Sequence, residues 1–136
     1  QGRVVTTPVV RMFHCSFHHL LQSSRIPSSQ HNVIITEFFL DVVPNIVETL
    51  IDIQHSLVGG GMWLNVGCLK YHVHNHEGPR MTMEEILMLC NHMERMHVVE
   101  HKVVENVMYN KESVSSTIDC ETYSCLCLVV FVDEAA

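Results

Sequence analysis

The chain has 136 residues, of which 47% are hydrophobic and 17% are charged, a balance that excludes a disordered polyelectrolyte. A chain of this length is expected to form one domain with its own buried core. The formal net charge is −7, and no run of Lys or Arg is present, so direct binding of nucleic acid through a basic face is disfavoured.

The sequence also bears on the compartment. No apolar run approaches the roughly 18 residues of a membrane span, and no signal-peptide pattern is present. The six cysteines are scattered and mostly lie inside apolar patterns, which is typical of thiols that act as small hydrophobic side chains. We therefore expect a reducing, intracellular location, with cytoplasm, nucleus and mitochondrion left open.

Residues 1–31 are predicted to be irregular and rich in histidine. One strand is possible in this part, and the residues that could supply it are Val4, Val5, Val9, Val10, Met12 and Phe13. Residues 22–31 contain Ser, Pro, Arg and Gln with little to bury, so they are predicted to form a loop.

Residues 32–136 alternate between strand and helix patterns. Residues 32–40 are β-branched and aromatic, as in a strand that is buried on both faces, and Asp41 ends this strand. A helix is predicted to begin at Pro44 and to stop at the three glycines 59–61. Residues 62–66 then form the next strand.

The second half of this core is predicted from a helix start and two apolar runs. Thr82 and Glu85 have the spacing of a capping box, so a helix is expected from there to about Met96. Residues 97–107 and 125–132 are predicted to be two strands joined as an antiparallel hairpin. The prediction is thus a single α/β domain, a three-layer sandwich around a mostly parallel sheet that ends in this hairpin.

The loop after residues 62–66 carries the candidate site. Tyr71 and His72 can act as acid, base or hydrogen-bond donor, and ligands of open α/β sheets bind at the carboxyl ends of strands. Asp41 lies at the end of the preceding strand, where it could bind a ligand or simply cap the following helix. His72, His74 and His76 alternate near Cys68 and could gather zinc, but no CxxC pair or HExxH helix accompanies them, so no metal site is predicted.

Four segments in order resemble the carnosine N-methyltransferase family, and the resemblance extends from about Val10 to Val132. They are FFLDVVPN (residues 38–45), GGMWLNVGCLKYHV (60–73), TMEEI (82–86) and CLVVFV (127–132). The second segment is long and ungapped against the family's GGIWINLGPLLYHF. The resemblance implies the C-terminal half of a class I methyltransferase domain, S-adenosylmethionine (SAM) as cofactor, and a small imidazole-containing acceptor.

The resemblance also implies roles for individual residues. Asp41 matches an acid that contacts the substrate, His72 matches the histidine beside the reacting imidazole, and Tyr123 matches a tyrosine that lines the substrate pocket. Tyr71, next to His72, is placed with the substrate-binding residues. A histidine that titrates near neutrality suits transfer of the imidazole proton, and a carboxylate suits the cationic end of the acceptor.

Several family features have no match in this chain. The glycine-rich SAM loop lies upstream of residue 1, the adenine-side acid falls on Cys15 and Ser16, and a second pocket tyrosine falls on Cys125. We therefore expect an incomplete domain that is not catalytic on its own and whose sheet is completed by another segment or chain. The alternative is a degenerate methyltransferase fold that serves as a structural or assembly subunit of a larger complex, such as a mitochondrial ribonucleoprotein.

Overall fold

The computed structural model describes residues 9–23, 30–71, 78–108 and 122–134. They form three helices and four strands in the order α1 (Phe17–Gln22), β1 (His31–Glu37), α2 (Ile46–Ser56), β2 (Leu57–Gly67), α3 (Met83–His92), β3 (Met96–Met108) and β4 (Thr122–Val132). The α/β class and the order of the elements after residue 31 agree with the sequence prediction. Among the described residues no helix combines the length and apolar character that crossing a membrane requires.

The four strands form one sheet in the order β1-β2-β4-β3. β1 and β2 are parallel, whereas β4 is antiparallel to both β2 and β3. The prediction of a mostly parallel sheet is therefore wrong for the described strands. The predicted antiparallel pairing of β3 and β4 is confirmed, but β4 also pairs with β2 in antiparallel orientation. Two of the three strand pairs among the described residues are therefore antiparallel.

The core lies on one face of the sheet. Trp63, Leu128 and Val130 are buried there in one cluster with apolar side chains of both long helices. The helix residues of this cluster are Ile46, Leu50 and Ile53 of α2 and Ile86 and Cys90 of α3. Burial of such apolar side chains is the main stabilising contribution to a domain of this size. The described helices thus form one layer against the sheet, and the second helical layer of a three-layer sandwich stays a prediction.

The three glycines do not end α2 as predicted. Their backbone belongs to β2, and α2 already ends at Ser56, where Leu57 takes an extended conformation. The pairing with β1 advances from His31 to Val33 while β2 advances from Leu57 to Met62, so the glycines form an irregularity within the strand. Gly60 has φ +81°, a conformation that glycine adopts without steric cost.

The start of α2 also differs from the prediction. Asn45, rather than Pro44, marks its N-terminus, because the Asn45 side chain accepts hydrogen bonds from the amides of Val47 (3.1 Å) and Glu48 (3.3 Å). Pro44 precedes this cap. In contrast, the predicted capping box of α3 is confirmed, with Glu85 N donating to Thr82 Oγ1 and Thr82 N donating to the Glu85 carboxylate.

The N-terminal part contains a helix that the sequence prediction missed. Val9, Val10, Met12 and Phe13 lie outside any strand and are exposed, while Val4 and Val5 lie outside the described residues. α1 begins after Ser16, whose hydroxyl accepts from His19 N, and its Phe17 ring meets the Phe39 ring edge to face at 6.0 Å. The serine cap followed by Phe17, Leu20 and Leu21 was the local signal for this helix.

Candidate acceptor site

The candidate site lies where β1 and β2 end and β4 begins. Glu37 pairs with Val66, and Gly67 pairs with Leu126 of β4. The chain turns sharply here, because Phe38 (φ 46°) and Tyr71 (φ 48°) both adopt the left-handed conformation that non-glycine residues avoid. Such conformations concentrate at functional sites, where the surrounding structure holds them.

Gly67 permits the close approach of the two strand ends. A Cβ atom at this position would lie 3.1 Å from both Cα and N of Phe38, tighter than ordinary van der Waals contact. The Phe38 amide donates to Val66 O at 2.9 Å, so this contact is also hydrogen-bonded. Residues 60–73, which we call the family-like segment, therefore carry a glycine at position 67 because a side chain there would collide with Phe38.

Asp41 is the most unusual side chain at this edge. It lies in the turn after β1 and is only 4% exposed. Its Oδ2 accepts a hydrogen bond from Cys68 Sγ at 3.4 Å, whereas Oδ1 is buried without a hydrogen-bond partner among the described residues. Since Asn45 caps α2, the helix-capping interpretation of Asp41 is wrong. A buried carboxylate oxygen that lacks a donor is costly for the fold and marks a place where a donor is needed.

Two buried thiols lie near Asp41. Burial raises the pKa of Cys68, and the hydrogen bond to Asp41 and the carboxylate charge raise it further. Burial likewise raises the pKa of Cys125, with smaller contributions from Cys127 and Asp41. Both thiols therefore stay protonated at neutral pH, and Cys68 can serve as the donor to Asp41. Sequence reasoning had given Cys68 no role beyond possible zinc binding, although its place directly after the end of β2 was a usable signal.

Tyr71 lies near the same carboxylate. Its hydroxyl donates to Met81 O at 2.6 Å and accepts from Met81 N at 2.9 Å, so it fixes the segment that leads into α3. Burial raises the pKa of Tyr71, the hydrogen bond to the Met81 backbone opposes this shift, and the charges of Glu85 and Asp41 add to it. Tyr71 thus lies at the edge of the candidate site, and its hydroxyl stabilises the segment before α3 through the Met81 backbone.

Tyr123 lies on β4 at the same edge, opposite Val107 of β3. The ammonium nitrogen of Lys70 lies 4.1 Å from the centre of the Tyr123 ring. An ammonium over an aromatic face is attracted by the ring quadrupole. The tyrosine that the resemblance places in the acceptor pocket therefore already presents its ring to a cation of this chain.

His72 lies outside the described residues, as do His74 and His76. Its role as a catalytic residue stays a prediction that rests on the resemblance. Within the parts of the chain that the structure describes, no three His, Cys, Asp or Glu side chains are grouped closely enough to hold a metal ion.

A buried polar chain connects three strands beneath the site. Trp63 Nε1 donates to Thr36 Oγ1 (2.8 Å), Thr36 Oγ1 donates to Asn65 Oδ1 (2.8 Å), and Asn65 Nδ2 donates to Leu126 O (3.1 Å). These side chains satisfy one another inside the core. Trp63 and Asn65, which stand out in the family-like segment, therefore hold β1, β2 and β4 together rather than face a ligand.

A cavity of about 340 Å³ lies between α1 and the start of α2. Cys15, Ser16, Phe17 and Phe39 line it together with residues of α2. His18 and Asp52 close one side through a contact of 2.7 Å between Nδ1 and Oδ2. Cys15 and Ser16 are the positions that the resemblance aligned with the adenine-side acid of the cofactor site.

Comparison with known proteins agrees with the resemblance. A family model described as carnosine N-methyltransferase matches residues 4–133. Similar curated proteins include "Carnosine N-methyltransferase unmet" of Drosophila melanogaster, 33% identical over 72 residues, which are 53% of this chain and 16% of the relative. The carnosine N-methyltransferase of Schizosaccharomyces pombe is 48% identical over 40 residues, 29% of this chain and 11% of the relative. That of Dictyostelium discoideum is 26% identical over 103 residues, 74% of this chain and 22% of the relative. The matched parts thus span less than a quarter of each relative.

Proposed function

The chain belongs to the carnosine N-methyltransferase family, and on that premise we propose that it supplies the acceptor-binding side of a methyltransferase domain. The acceptor would be a small imidazole-containing molecule, as the names of the relatives indicate for those proteins. Asp41 carries this proposal, because its buried Oδ1 lacks a donor among the described residues and lies at the edge of the sheet where α/β folds bind ligands.

The ammonium group of a dipeptide acceptor would supply the donor that Asp41 Oδ1 lacks. A charge-assisted hydrogen bond of this kind is stronger than a neutral one and fixes the orientation of the acceptor. Tyr71 and Tyr123 would flank the acceptor. His72 would take up the proton that the imidazole nitrogen gives up, since histidine titrates in the right range.

The family implies SAM as the cofactor, which supplies an electrophilic methyl group in such enzymes. The described residues do not fit a complete SAM site, because a thiol and a hydroxyl, Cys15 and Ser16, stand where the adenine-side acid is expected. We therefore assign no SAM contact and derive no step through it. The chain by itself is proposed to bind acceptor without catalysing, and its free thiols at Cys68, Cys90 and Cys125 support a reducing compartment.

A second candidate is a structural role in a larger complex, as for the protein component of a mitochondrial ribonucleoprotein. Three contacts favour it. The Tyr71 hydroxyl is engaged with Met81, the ammonium of Lys70 lies on the Tyr123 ring, and Trp63 and Asn65 serve the core. In this case the family-like segment is retained for folding rather than for chemistry.

Titration of the full chain with carnosine, followed by NMR, separates the two candidates. Acceptor binding predicts saturable shifts at the sheet edge, which Asp41→Asn should weaken at least tenfold, while the exposed carboxylate variant Asp133→Asn should bind as the wild type does. Carnosine that causes no shifts would reject the acceptor site and favour the structural role. A separate calorimetric titration with SAM tests the proposal that this chain has no complete cofactor site. Micromolar binding by this chain alone would contradict the proposed lack of independent catalysis.

A further inference from the structure

Lys70 places a positive charge at the edge of the candidate acceptor site. It follows Cys68, whose thiol donates to Asp41, and its own backbone amide donates a hydrogen bond to the Cys68 sulfur. Lys70 is exposed, so its side chain meets molecules that enter the site from solvent. The family string quoted for residues 60–73 has a leucine at this position, and the charge is therefore a departure of this chain.

The ring of Tyr123 positions the ammonium group of Lys70. The nitrogen lies 4.1 Å from the centre of this ring, and Tyr123 itself is half-buried on β4. At an exposed position the attraction between a cation and an aromatic face is weaker than a charge-assisted hydrogen bond to a carboxylate. A carboxylate that reaches the edge of the site can therefore draw the ammonium group away from the ring.

The candidate site thus has charges of opposite sign at two depths. Asp41 is only 4% exposed and lies at the buried end, whereas Lys70 lies at the exposed edge of the same loop. A ligand with an ammonium group at one end and a carboxylate at the other is complementary to this distribution. A ligand that carries the ammonium group alone leaves the charge of Lys70 unused.

The charge of the whole chain makes a local cation necessary for such a ligand. The formal net charge is −7, so the field of the chain repels an approaching carboxylate. Lys70 supplies the opposite sign within the site. Arg80 is a second exposed cation in this region, since it precedes Met81, whose backbone binds the Tyr71 hydroxyl. The experiment must therefore separate the contributions of Lys70 and Arg80.

We infer that Lys70 selects acceptors with a free carboxylate, because its ammonium group moves from the Tyr123 ring to that carboxylate when the acceptor binds. This inference rests on the proposed acceptor site and adds the specificity of that site. Asp41 binds the ammonium group of the acceptor and Lys70 binds its carboxylate, so both ends of the molecule are fixed. The move of Lys70 also uncovers the face of the Tyr123 ring for the imidazole.

NMR titrations of the full chain with carnosine and with its C-terminal amide test the inference. The wild type should bind carnosine about tenfold more tightly than the amide, because the amide lacks the charged hydrogen-bond acceptor. The net negative charge of the chain by itself favours the amide, which is the more positive ligand, so this preference requires a local cation. Carnosine should also shift the side-chain proton signals of Lys70 downfield, as the ammonium group leaves the shielding face of the ring.

Variants of Lys70 separate its charge from its packing. Lys70→Met keeps an unbranched apolar side chain without the charge, so it should bind carnosine and the amide with equal affinity. Lys70→Arg should keep the preference, since a guanidinium group also binds carboxylates and aromatic faces. The matched control is Lys102→Met, because Lys102 is exposed on β3 opposite Cys127 and away from Tyr123. Lys102→Met and Arg80→Met should both retain the preference for carnosine.

Three outcomes would overturn the inference alone. One is equal binding of carnosine and its amide by the wild type. Another is a preference for carnosine that persists in Lys70→Met, and the third is a preference that disappears in Arg80→Met. If neither ligand causes shifts, the proposed acceptor site is rejected together with the inference, so the two failures can be told apart.

Discussion

The thiol of Cys68 donates to the buried carboxylate of Asp41 across a distance of 3.4 Å, which joins the loop after β2 to the turn after β1. This contact uses Oδ2, whereas Oδ1 has no hydrogen-bond partner among the described residues. The arrangement resembles a site that is prepared for a donor and is costly to the fold without it, as is common where stability has been traded for function.

The first prediction concerns the stability cost of Asp41. Replacing the carboxylate by the neutral amide in Asp41→Asn should raise the free energy of unfolding by about 1 kcal/mol, because a neutral group is less costly to bury without a partner than a charged one. Urea denaturation of both proteins measures this difference. A clear loss of stability would show that the ionised carboxylate has stabilising partners within the chain.

The second prediction concerns the reactivity of Cys68. Because burial and Asp41 raise its pKa, Cys68 should react with iodoacetamide at pH 8 at least tenfold more slowly than the exposed Cys15. Asp41→Asn should lower the pKa of Cys68 and speed its alkylation, which peptide mass spectrometry can follow.

Cys90 provides the control for this measurement. Burial raises its pKa to about 12, and Asp41 does not contribute to the shift. Its slow alkylation should therefore be the same in the wild type and in Asp41→Asn. Faster reaction of both cysteines would indicate general loosening of the fold instead of a local electrostatic effect.

The third prediction concerns the buried polar chain. Thr36→Val removes the hydroxyl that accepts from Trp63 and donates to Asn65, so both partners lose a hydrogen bond inside the core. We expect a loss of about 1–3 kcal/mol in the free energy of unfolding. Since Trp63 is the single tryptophan of the chain, its fluorescence should also report the change.

The matched control is Thr49→Val. Thr49 is also buried, but its hydroxyl donates to Asn45 O, which already accepts from Thr49 N. We expect this variant to lose less than about 1 kcal/mol, because no buried donor is left without a partner. Equal losses of unfolding free energy in the two variants would argue against a special role of the buried hydrogen bonds that Thr36 makes with Trp63 and Asn65.

The fourth prediction concerns the pH dependence of α1. The hydrogen bond to Asp52 raises the pKa of His18 above its ordinary 6.5, and the charges of Asp52 and Glu48 act in the same direction against a small opposing effect of burial. The contact between His18 and Asp52 therefore stabilises α1 fully below about pH 6.5, and this stabilisation is lost as the pH rises through the raised pKa of His18. Hydrogen-exchange protection factors of the α1 amides should fall over that range.

Asp52→Asn tests the cause of this pH dependence. The variant removes the charge that His18 contacts, so the protection of α1 should become nearly independent of pH between about 6 and about 8 by the same linkage. A pH dependence that persists unchanged in Asp52→Asn would mean that another group titrates.

The sequence by itself determined the elements that depend on local patterns. The β-branched run of β1, the capping box of Thr82 and Glu85, and the apolar runs of β3 and β4 each specify their own conformation, and the structure contains all of them. The residues that carry the family resemblance could also be recognised in the sequence, and they led to the prediction that Asp41, at a strand end, is a site residue.

Only the tertiary structure decided how those elements meet. The insertion of β4 between β2 and β3, the placement of both long helices on one face, and the choice of Asn45 over Asp41 as the cap of α2 all depend on contacts between distant residues. Local periodicity indicates that a strand has an apolar side, but it does not indicate which helix or strand will cover that side. For this reason the burial of Asp41 against Cys68 and the exposure of Ile35 could be learned only from the fold.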